Sequence, residues 1–559
     1  MPSLTLQALT AFVAAWVVYR VYLRYAQNAA LAVVPGPKSN SWLLGDLKAM
    51  FATNGWEYHK QLMKDYGAVF KFSGLLKAPH LYVYDPKALS QILSKEQGVY
   101  EKTEDFLVMN GLIFGNSLPA SHGDEHRKQK KMIGPVFSPA HMREILPTCF
   151  RVAYTLRDSI KQQVLRGQSE VDLSAWMSRV SLELIGQGGF GYSLDPLTEN
   201  APEHPFTTSI KNLARSATDP LMVLPRMYLL PPLSKIGSPR FRRFLLDIVP
   251  WPKLHAIRDM VDVMDQTAKE ILGQAQKSLD ADDEVLKARI GSGKDILSIL
   301  LRTNMLASEE EKLPQSDLLG QIGSITFAGM DTTSNGLSRT LHLLSEHPEV
   351  QAKLRAELQE ARKQRNGDDP EFETLMTLPY LDAVCKETLR LYAPVPFLLR
   401  RVCTDMIMPL HTPIQTAFDP KQQLNEIFVP EGTTIIMSLI GCNRNKDVWG
   451  EDAEEWKPER WLEPVKESVV GAKVPGVYSH LMTFLGGGRA CVGVKFAQLQ
   501  IKVVLSTLVE NFTFAPGSKE IIWQLNGVIQ PTTKDAGFTS TGHRKLQLPL
   551  KLSCIEAED

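Results

Sequence analysis

Between Gln315 and His347-Pro348 the chain runs for roughly thirty residues without a proline, with Gln315-Ser316-Asp317 offering a helix start. Near Ile322 to Ala328 this run is apolar on most faces. A helix of that kind is central and buried, because no face of it is suited to water. The rest of the chain must therefore supply a large, mainly helical body around it.

Neighbouring segments agree. A second helix is expected from Pro348, with Val350, Leu354 and Leu358 on one face, and a third from Pro379 to about Tyr392. Helical patterns dominate from about Asp124 onward. Strands are expected at Ala78 to Pro86, before a helical pattern at Lys87 to Leu93, and in extended stretches at Glu426 to Met437 and Gly542 to Leu552. The class is α+β, mainly α with minor β. The length of 559 residues would by itself suggest several domains.

Lys plus Arg and Asp plus Glu are 62 each, so no net field draws nucleic acid, and no nucleic-acid motif appears. The six cysteines are scattered without a C-x-x-C pair, which argues against a disulfide framework or zinc knuckle and suits a reducing compartment.

From Leu4 to Leu23 the sequence is apolar apart from Gln7 and Arg20, about long enough to cross bilayer hydrocarbon as a helix. A cleaved signal peptide is the rival, but no positive region precedes the run. Val34-Pro35-Gly36-Pro37 breaks any helix and marks a boundary, so residues 1–34 are expected to be an anchor and linker and 35–559 the body. Arg20, Arg24 and Lys38 lie at or after the C-terminal end of the run, which holds that end in the cytosol. The acceptor Asn511-Phe512-Thr513 would carry glycan only if the body entered the secretory lumen.

The chemistry concentrates in Phe484-Leu485-Gly486-Gly487-Gly488-Arg489-Ala490-Cys491-Val492-Gly493, just before a helical pattern. Backbone N–H groups of a glycine loop, a helix N-terminus near Gly493 and the nearby Arg489 all favour a thiolate at Cys491. A phosphate-binding loop does not fit, because Cys491 occupies a position that would need glycine.

This stretch resembles the haem-binding signature F-x-x-G-x-R-x-C-x-G of the cytochrome P-450 superfamily, matched at Phe484, Gly487, Arg489, Cys491 and Gly493. Two further motifs follow in the family's order. Glu387-Thr388-Leu389-Arg390 matches E-x-x-R, with Pro458-Glu459-Arg460-Trp461 at the place of P-E-R-F, so Glu387, Arg390 and Arg460 are implied to lock the core rather than to catalyse. Ala328-Gly329-Met330-Asp331-Thr332-Thr333 matches [AG]-G-x-[DE]-T-[ST]. There Gly329 is expected to leave room for a diatomic ligand, and Thr332 to bond the Ala328 carbonyl and open a polar notch. The resemblance gives Asp331 and Thr332 the passage of protons into that notch.

A fourth match is partial. The helix Gly123 to Lys131 stands where the family has W-x-x-x-R, with His126 for Trp and Lys130 for Arg, and either can still donate to a haem propionate. Arg401 occupies another propionate position, and its neighbour Arg400 can substitute for it.

The resemblance runs from Pro35 to the C-terminus and implies one large haem-binding domain behind an N-terminal transmembrane anchor. It implies haem b, with Cys491 as its iron ligand. It also implies O2 activation with electrons from NADPH, which reach the chain through a reductase of the NADPH-cytochrome P-450 reductase type, because no flavin or nicotinamide segment is visible. Lys130 and Lys131 are candidate docking charges. The wording of Gly123 to Pro139 and of Ile185 to Pro196 is nearer fungal members, which suggests secondary metabolism.

Candidate pocket walls are Leu107 to Ser117, Phe327 with Ala328, Val395 to Leu399, and Gly527 to Ile529. They are mostly apolar, so a terpenoid, sterol, fatty acid or aromatic is the expected substrate. The apolar Leu221 to Leu233 either dips into the membrane or caps the core. The expected location is the endoplasmic reticulum membrane, single-pass, with the catalytic body in the cytosol. The alternatives are a haem-thiolate isomerase or dehydratase that does not use O2, and a non-catalytic haem-binding sensor.

Overall fold

The computed structural model describes residues 4–39, 41–95, 98–218, 220–280, 295–539 and 543–555. Its longer helices, in chain order, begin with α1 (Leu4–Ala30), α2 (Trp56–Tyr66), α3 (Pro86–Ser94), α4 (Glu104–Phe114), α5 (Gly123–Ile133), α6 (Pro139–Leu165), α7 (Leu173–Leu184) and α8 (Pro205–Thr218). They continue with α9 (Pro220–Tyr228), α10 (Pro239–Ile248), α11 (Pro252–Asp280), α12 (Ile296–Leu306), α13 (Gln315–Glu346), α14 (Pro348–Lys363), α15 (Pro379–Leu391) and α16 (Val494–Asn511). The strands are β1 (Val69–Ser73), β2 (Pro79–Val83), β3 (Tyr100–Glu101), β4 (Glu170–Asp172), β5 (Phe397–Val402), β6 (Met406–Gln415), β7 (Gln423–Val429), β8 (Thr434–Ser438), β9 (Phe512–Pro516), β10 (Ile521–Asn526), β11 (Val528–Thr533) and β12 (Pro549–Cys554).

Proline and short polar side chains set where several helices begin, because a first-turn proline gives up no internal bond and a cap satisfies an orphan N–H. Asp85 accepts from the Lys87 and Ala88 amides ahead of α3, and Ser138 accepts from the His141 amide ahead of α6. Asp295 does the same for α12 through the Ser298 amide. The long α13 starts differently from the expected polar start, behind Pro314 without a side-chain cap. Asp317 instead accepts from Asn116 Nδ2 at 2.8 Å, a contact in the first turn of α13.

The described residues divide into two compact units. One comprises the chain up to Thr103 with Phe397–Ala453 and Glu467–Arg489. It carries a five-stranded sheet in the order β1-β2-β8-β5-β3, in which β2 and β8 run parallel, and the β6-β7 hairpin. The expected extended run Glu426 to Met437 is thus two strands, broken where Gly432 takes a left-handed φ of 81°. A buried cluster of Tyr82, His59 and Ser438 ties this sheet to α2, with His59 Nδ1 3.0 Å from the Tyr82 hydroxyl.

The other unit holds Glu104–Pro396, Glu454–Lys466 and the chain from Ala490. Here α13 is the axis. It packs against α7, α11, α15, α16 and β11, and most of its side chains are buried. Gly320 lets α4 approach closely, since a Cβ there would fall 2.6 Å from the Phe114 carbonyl oxygen. On α14, Val350, Leu354 and Leu358 are buried as their spacing requires.

No helix among the described residues is long and apolar enough to cross a membrane. The expected anchor Leu4 to Leu23 forms most of α1, but most of its side chains lie outside the described residues.

Candidate functional site

The central helix α13 is buried on every face except one. From Gly320 to Ser338 its side chains are closed off apart from Phe327 and a stripe of Ile325, Ala328, Gly329 and Thr332. That stripe has the i, i+3, i+4, i+7 spacing of one helical face, and Ala328 within it is exposed. It stops at Gly336, which lies against Ile501 of α16 and Leu389 of α15. An alanine, a glycine and a threonine left uncovered in the middle of a core helix mark a wall built to face something other than protein.

The second opening lies at the start of α16. This helix is buried from Phe496 through Val509 save for Ala497, and its N-cap is Gly493. Two residues earlier, Cys491 is exposed, unlike the buried Cys149, Cys385 and Cys442. Its surface is open, yet protein crowds it and pushes the thiol pKa up, while the Gly493 amide and the charge of Lys130 pull it down. The helix N-terminus that the glycine loop predicts is therefore present, and α5 brings Lys130 within electrostatic reach of the sulfur. His126 lies one turn before Lys130 on α5, buried, while Lys130 is partly exposed.

These features fit a haem. The uncovered stripe of α13 offers a flat apolar surface, and Cys491 offers an open sulfur held by the Gly493 amide. The ligand chemistry matches haem iron, which takes a cysteine thiolate as axial ligand.

Within α13, Thr332 and Asp331 do different things. Thr332 Oγ1 donates to the Ala328 carbonyl at 2.7 Å, as the spacing predicts. Asp331 is buried and accepts from Gln530 Nε2 at 3.2 and 3.3 Å and from Asn335 Nδ2 at 3.1 Å. Burial raises the Asp331 pKa, opposed by Lys211, Gln530, Arg215 and Asn335. Arg215 of α8 donates from Nε to Gln530 Oε1 at 3.4 Å, extending this network away from the stripe. Gln530 and Arg215 escape sequence reasoning, because neither belongs to a motif and strand β11 is far along the chain.

Gly329 has a second reason to be glycine. A Cβ on it would meet Ile185, the first residue of the π-helical segment Ile185–Gly189 that follows α7. Glu183 fixes that segment by accepting from the Leu194 and Asp195 amides at 2.7 and 2.6 Å.

Glu387 lies at the centre of a buried lock. Arg390 Nε and Nη2 each donate to it at 2.8 Å, Arg460 Nε at 3.3 Å, Trp461 Nε1 at 2.9 Å and the Lys457 amide at 3.1 Å. The sequence pointed to Glu387, Arg390 and Arg460. Trp461 was missed, and its signal was the indole standing where the P-E-R-F motif has phenylalanine.

The remaining candidates lie in the other unit. Phe484 packs edge-on against Tyr478 with ring centroids 5.4 Å apart. Gly487 takes a φ of 63° and sits where a Cβ would fall 2.7 Å from the Leu93 carbonyl oxygen, so the loop needs glycine there. Arg489 is partly exposed. On β5, Arg401 is exposed whereas Arg400 is buried, so of the two expected propionate candidates it is Arg400 that points inward.

Comparison with known proteins completes the assignment. The family model described as Cytochrome P450 matches residues 34–535. The chain is 44% identical over 541 residues to Cytochrome P450 monooxygenase 91 of Postia placenta, covering 97% of each. It is 39% identical over 540 residues to a ganoderic acid synthetase of Ganoderma lucidum, covering 95% of this chain and 96% of the other. A cytochrome P450 monooxygenase of Hericium erinaceus is 33% identical, with 97% and 96% covered. With the signature intact around Cys491 and a core helix open along Ala328 and Thr332, the chain belongs to the cytochrome P450 family.

Proposed function

We infer that this monooxygenase draws electrons from an NADPH-dependent flavoprotein reductase and oxidises a lipophilic small molecule of secondary metabolism. The observation that carries the reading is the uncovered stripe of α13, whose exposed Ala328 adjoins the Thr332 notch. When bound, haem supplies oxygen activation, and a thiolate ligand favours O–O cleavage.

The chain's own residues do the rest. Cys491 holds the iron, and the Gly493 amide donates to its sulfur. His126 and Lys130 of α5 are candidates for the propionates, as are the buried Arg400 and the exposed Arg401 of β5. The Thr332 hydroxyl offers a movable proton next to the stripe, and Asp331, on another face of α13, is its acidic partner, held in place by Gln530 and Asn335.

The apolar run in α1 supports a membrane anchor at the endoplasmic reticulum, with the cytosolic side set by Arg20, Arg24 and Lys38. The exposed Leu229 and Leu233, followed by Phe241, Phe244, Leu245 and Ile248, support contact of this segment with the same membrane. The ganoderic acid synthetase among the relatives favours terpenoid-like substrates within the lipophilic range.

The test is product analysis with purified protein, a flavoprotein reductase, NADPH and a lipophilic library under labelled O2. One labelled oxygen atom in product is expected. Haem-loaded protein that rearranges or dehydrates substrate without NADPH would overturn the reading in favour of the isomerase alternative.

A further inference from the structure

The open stripe of α13 is closed at one end by two other segments. On the same helical face Gly336 follows Thr332 by one turn, and a Cβ there would lie 3.9 Å from Cγ of Pro394. The Pro394 carbonyl in turn accepts from the Ile529 amide at 2.8 Å. Pro394, Val395 and Ile529 are part-exposed, and Gly527, at the turn between β10 and β11, is exposed. The chain that follows α15 and the β10–β11 hairpin therefore meet over α13 where the stripe ends, and both leave apolar surface uncovered.

Arg339 stands further along that face, seven residues after Thr332. Its guanidinium is stacked over two rings, with Cζ 4.2 Å from the Tyr392 centroid and 3.5 Å from that of Trp523. A planar cation is attracted to aromatic faces and fixes their orientation as well as their distance. Tyr392 directly follows α15, two residues before Pro394, and Trp523 belongs to β10. The segments that Arg339 joins are thus the two that close the stripe. Trp523 Nε1 also donates to His342 Nδ1 at 3.3 Å. Burial and the Arg339 charge hold the His342 pKa down at about 4, so the imidazole is neutral and can accept.

We propose that the Tyr392–Arg339–Trp523 stack positions the end wall of the substrate space, and so sets how far an apolar guest on the Ala328–Thr332 stripe extends towards Gly336. The hairpin has a second tie to α13, from Gln530 of β11 to Asp331. Asp331 and Arg339 are separated by about 12 Å of helix, so the hairpin is held at two levels. Without the stack, Gln530 is left as a pivot. The turn at Gly527, about 13 Å of strand beyond Trp523, then swings away from the stripe. Tyr392, Arg339 and Trp523 are positioning residues, acting through Pro394 and Ile529 rather than by touching the guest.

The proposal rests on the reading of the stripe as the wall of a lipophilic substrate space, and the experiment separates the two. Full-length holoprotein is titrated with 1-alkylimidazoles from butyl to dodecyl, following the shift of the haem Soret band. The ring nitrogen binds the iron, so the tail length measures the space beside it. Wild-type affinity should rise about fourfold per added methylene until the tail meets the end wall, and level off from there. Trp523→Ala and Arg339→Leu should move that break to longer chains by at least one methylene, with butylimidazole affinity unchanged. Trp523→Phe keeps a ring for Arg339 and should keep the break in place.

Tyr392→Leu removes the other ring from a different segment and should act like Trp523→Ala, so the test stands if a Trp523 variant fails to fold. A break at one chain length in wild type and in every stack variant overturns the positioning role. So does a break that moves as far in Trp523→Phe as in Trp523→Ala, because the His342 bond would then hold the hairpin. Affinity lost equally at every chain length would make the stack structural only and also overturn it. Wild-type affinity that climbs to dodecyl without a break overturns the end wall but leaves the lipophilic reading standing. Wild type whose affinity does not rise with chain length overturns both.

Discussion

Gly329 lies so close to Ile185 that a Cβ added to it would fall 2.5 Å from the isoleucine Cδ1. The atom in the way is the far end of a side chain, so the π-helical segment need not break for alanine to fit. Alanine gains about 1 kcal/mol of helix propensity but overpacks by about 1–3 kcal/mol. Gly329→Ala should therefore destabilise by about 1 kcal/mol, and Ile185→Val, which deletes Cδ1, should relieve it. A double-mutant cycle on urea midpoints should show coupling of about 1 kcal/mol. Additive effects would show that the two side chains do not compete for this space.

This contact also shows where the sequence stops being informative. The motif Ala328 to Thr333 placed Gly329 at the site and gave it one role, room for a small ligand. Its clash with Ile185 depends on a neighbour in a distant helix and could not be read from spacing. The same holds for Asp331, whose partners Gln530 and Arg215 come from β11 and α8. By contrast, the extent of α13, the back-bond of Thr332 and the Glu387–Arg390 pair depend on neighbours within one or two helical turns, and each was legible. The break between β7 and β8 at Gly432 was not, because both flanks read as one extended run.

Burial raises the Asp331 pKa, so its charged form is penalised in the folded state. The sign follows directly. Stability is complete below the ordinary value of 3.8 and is lost as pH rises through the folded pKa. Asp331→Asn keeps the shape and removes the charge, so it should melt higher than wild type by an amount that grows as pH rises above 3.8 through the folded pKa. A melting difference that shrinks with rising pH would mean that Lys211 and Arg215 outweigh burial.

Thr332→Ala removes one hydroxyl that bonds within its own helix. Stability should change by less than about 0.5 kcal/mol, because alanine recovers helix propensity. Haem content should stay the same. NADPH should still be consumed, with oxygen diverted to peroxide rather than product. Unchanged coupling of NADPH to product would remove Thr332 from proton delivery.

Cys491→Ala should abolish the red-shifted Soret band expected of the reduced carbon monoxide adduct, since the variant lacks the open sulfur that the Gly493 amide holds. Cys442→Ala is the control, because that thiol is buried and pushed up by burial beyond the usual range. If Cys491→Ala kept the band, another group would have to be the ligand.

The Glu387 cluster makes a graded prediction, because its donors differ in charge and in what they leave behind. Glu387 and Arg390 are fully buried as a bidentate pair. Removing either strands the other in low dielectric at about 3–5 kcal/mol. Trp461 donates a single neutral hydrogen bond to Oε2, which Arg390 Nε also serves, so Trp461→Phe leaves no charge unpaired and should cost about 1 kcal/mol. Arg460→Ala falls between, since its Nε lies 3.3 Å from Oε1 and Glu387 keeps its other donors. Urea unfolding with haem occupancy should therefore rank the variants Trp461→Phe, Arg460→Ala, then Arg390→Ala and Glu387→Ala as the least stable. Turnover per haem should stay near wild type in whatever fraction folds, because none of these groups lies on the open stripe. Well-folded Glu387→Ala protein with turnover lost would reverse the assignment and make the cluster part of the chemistry.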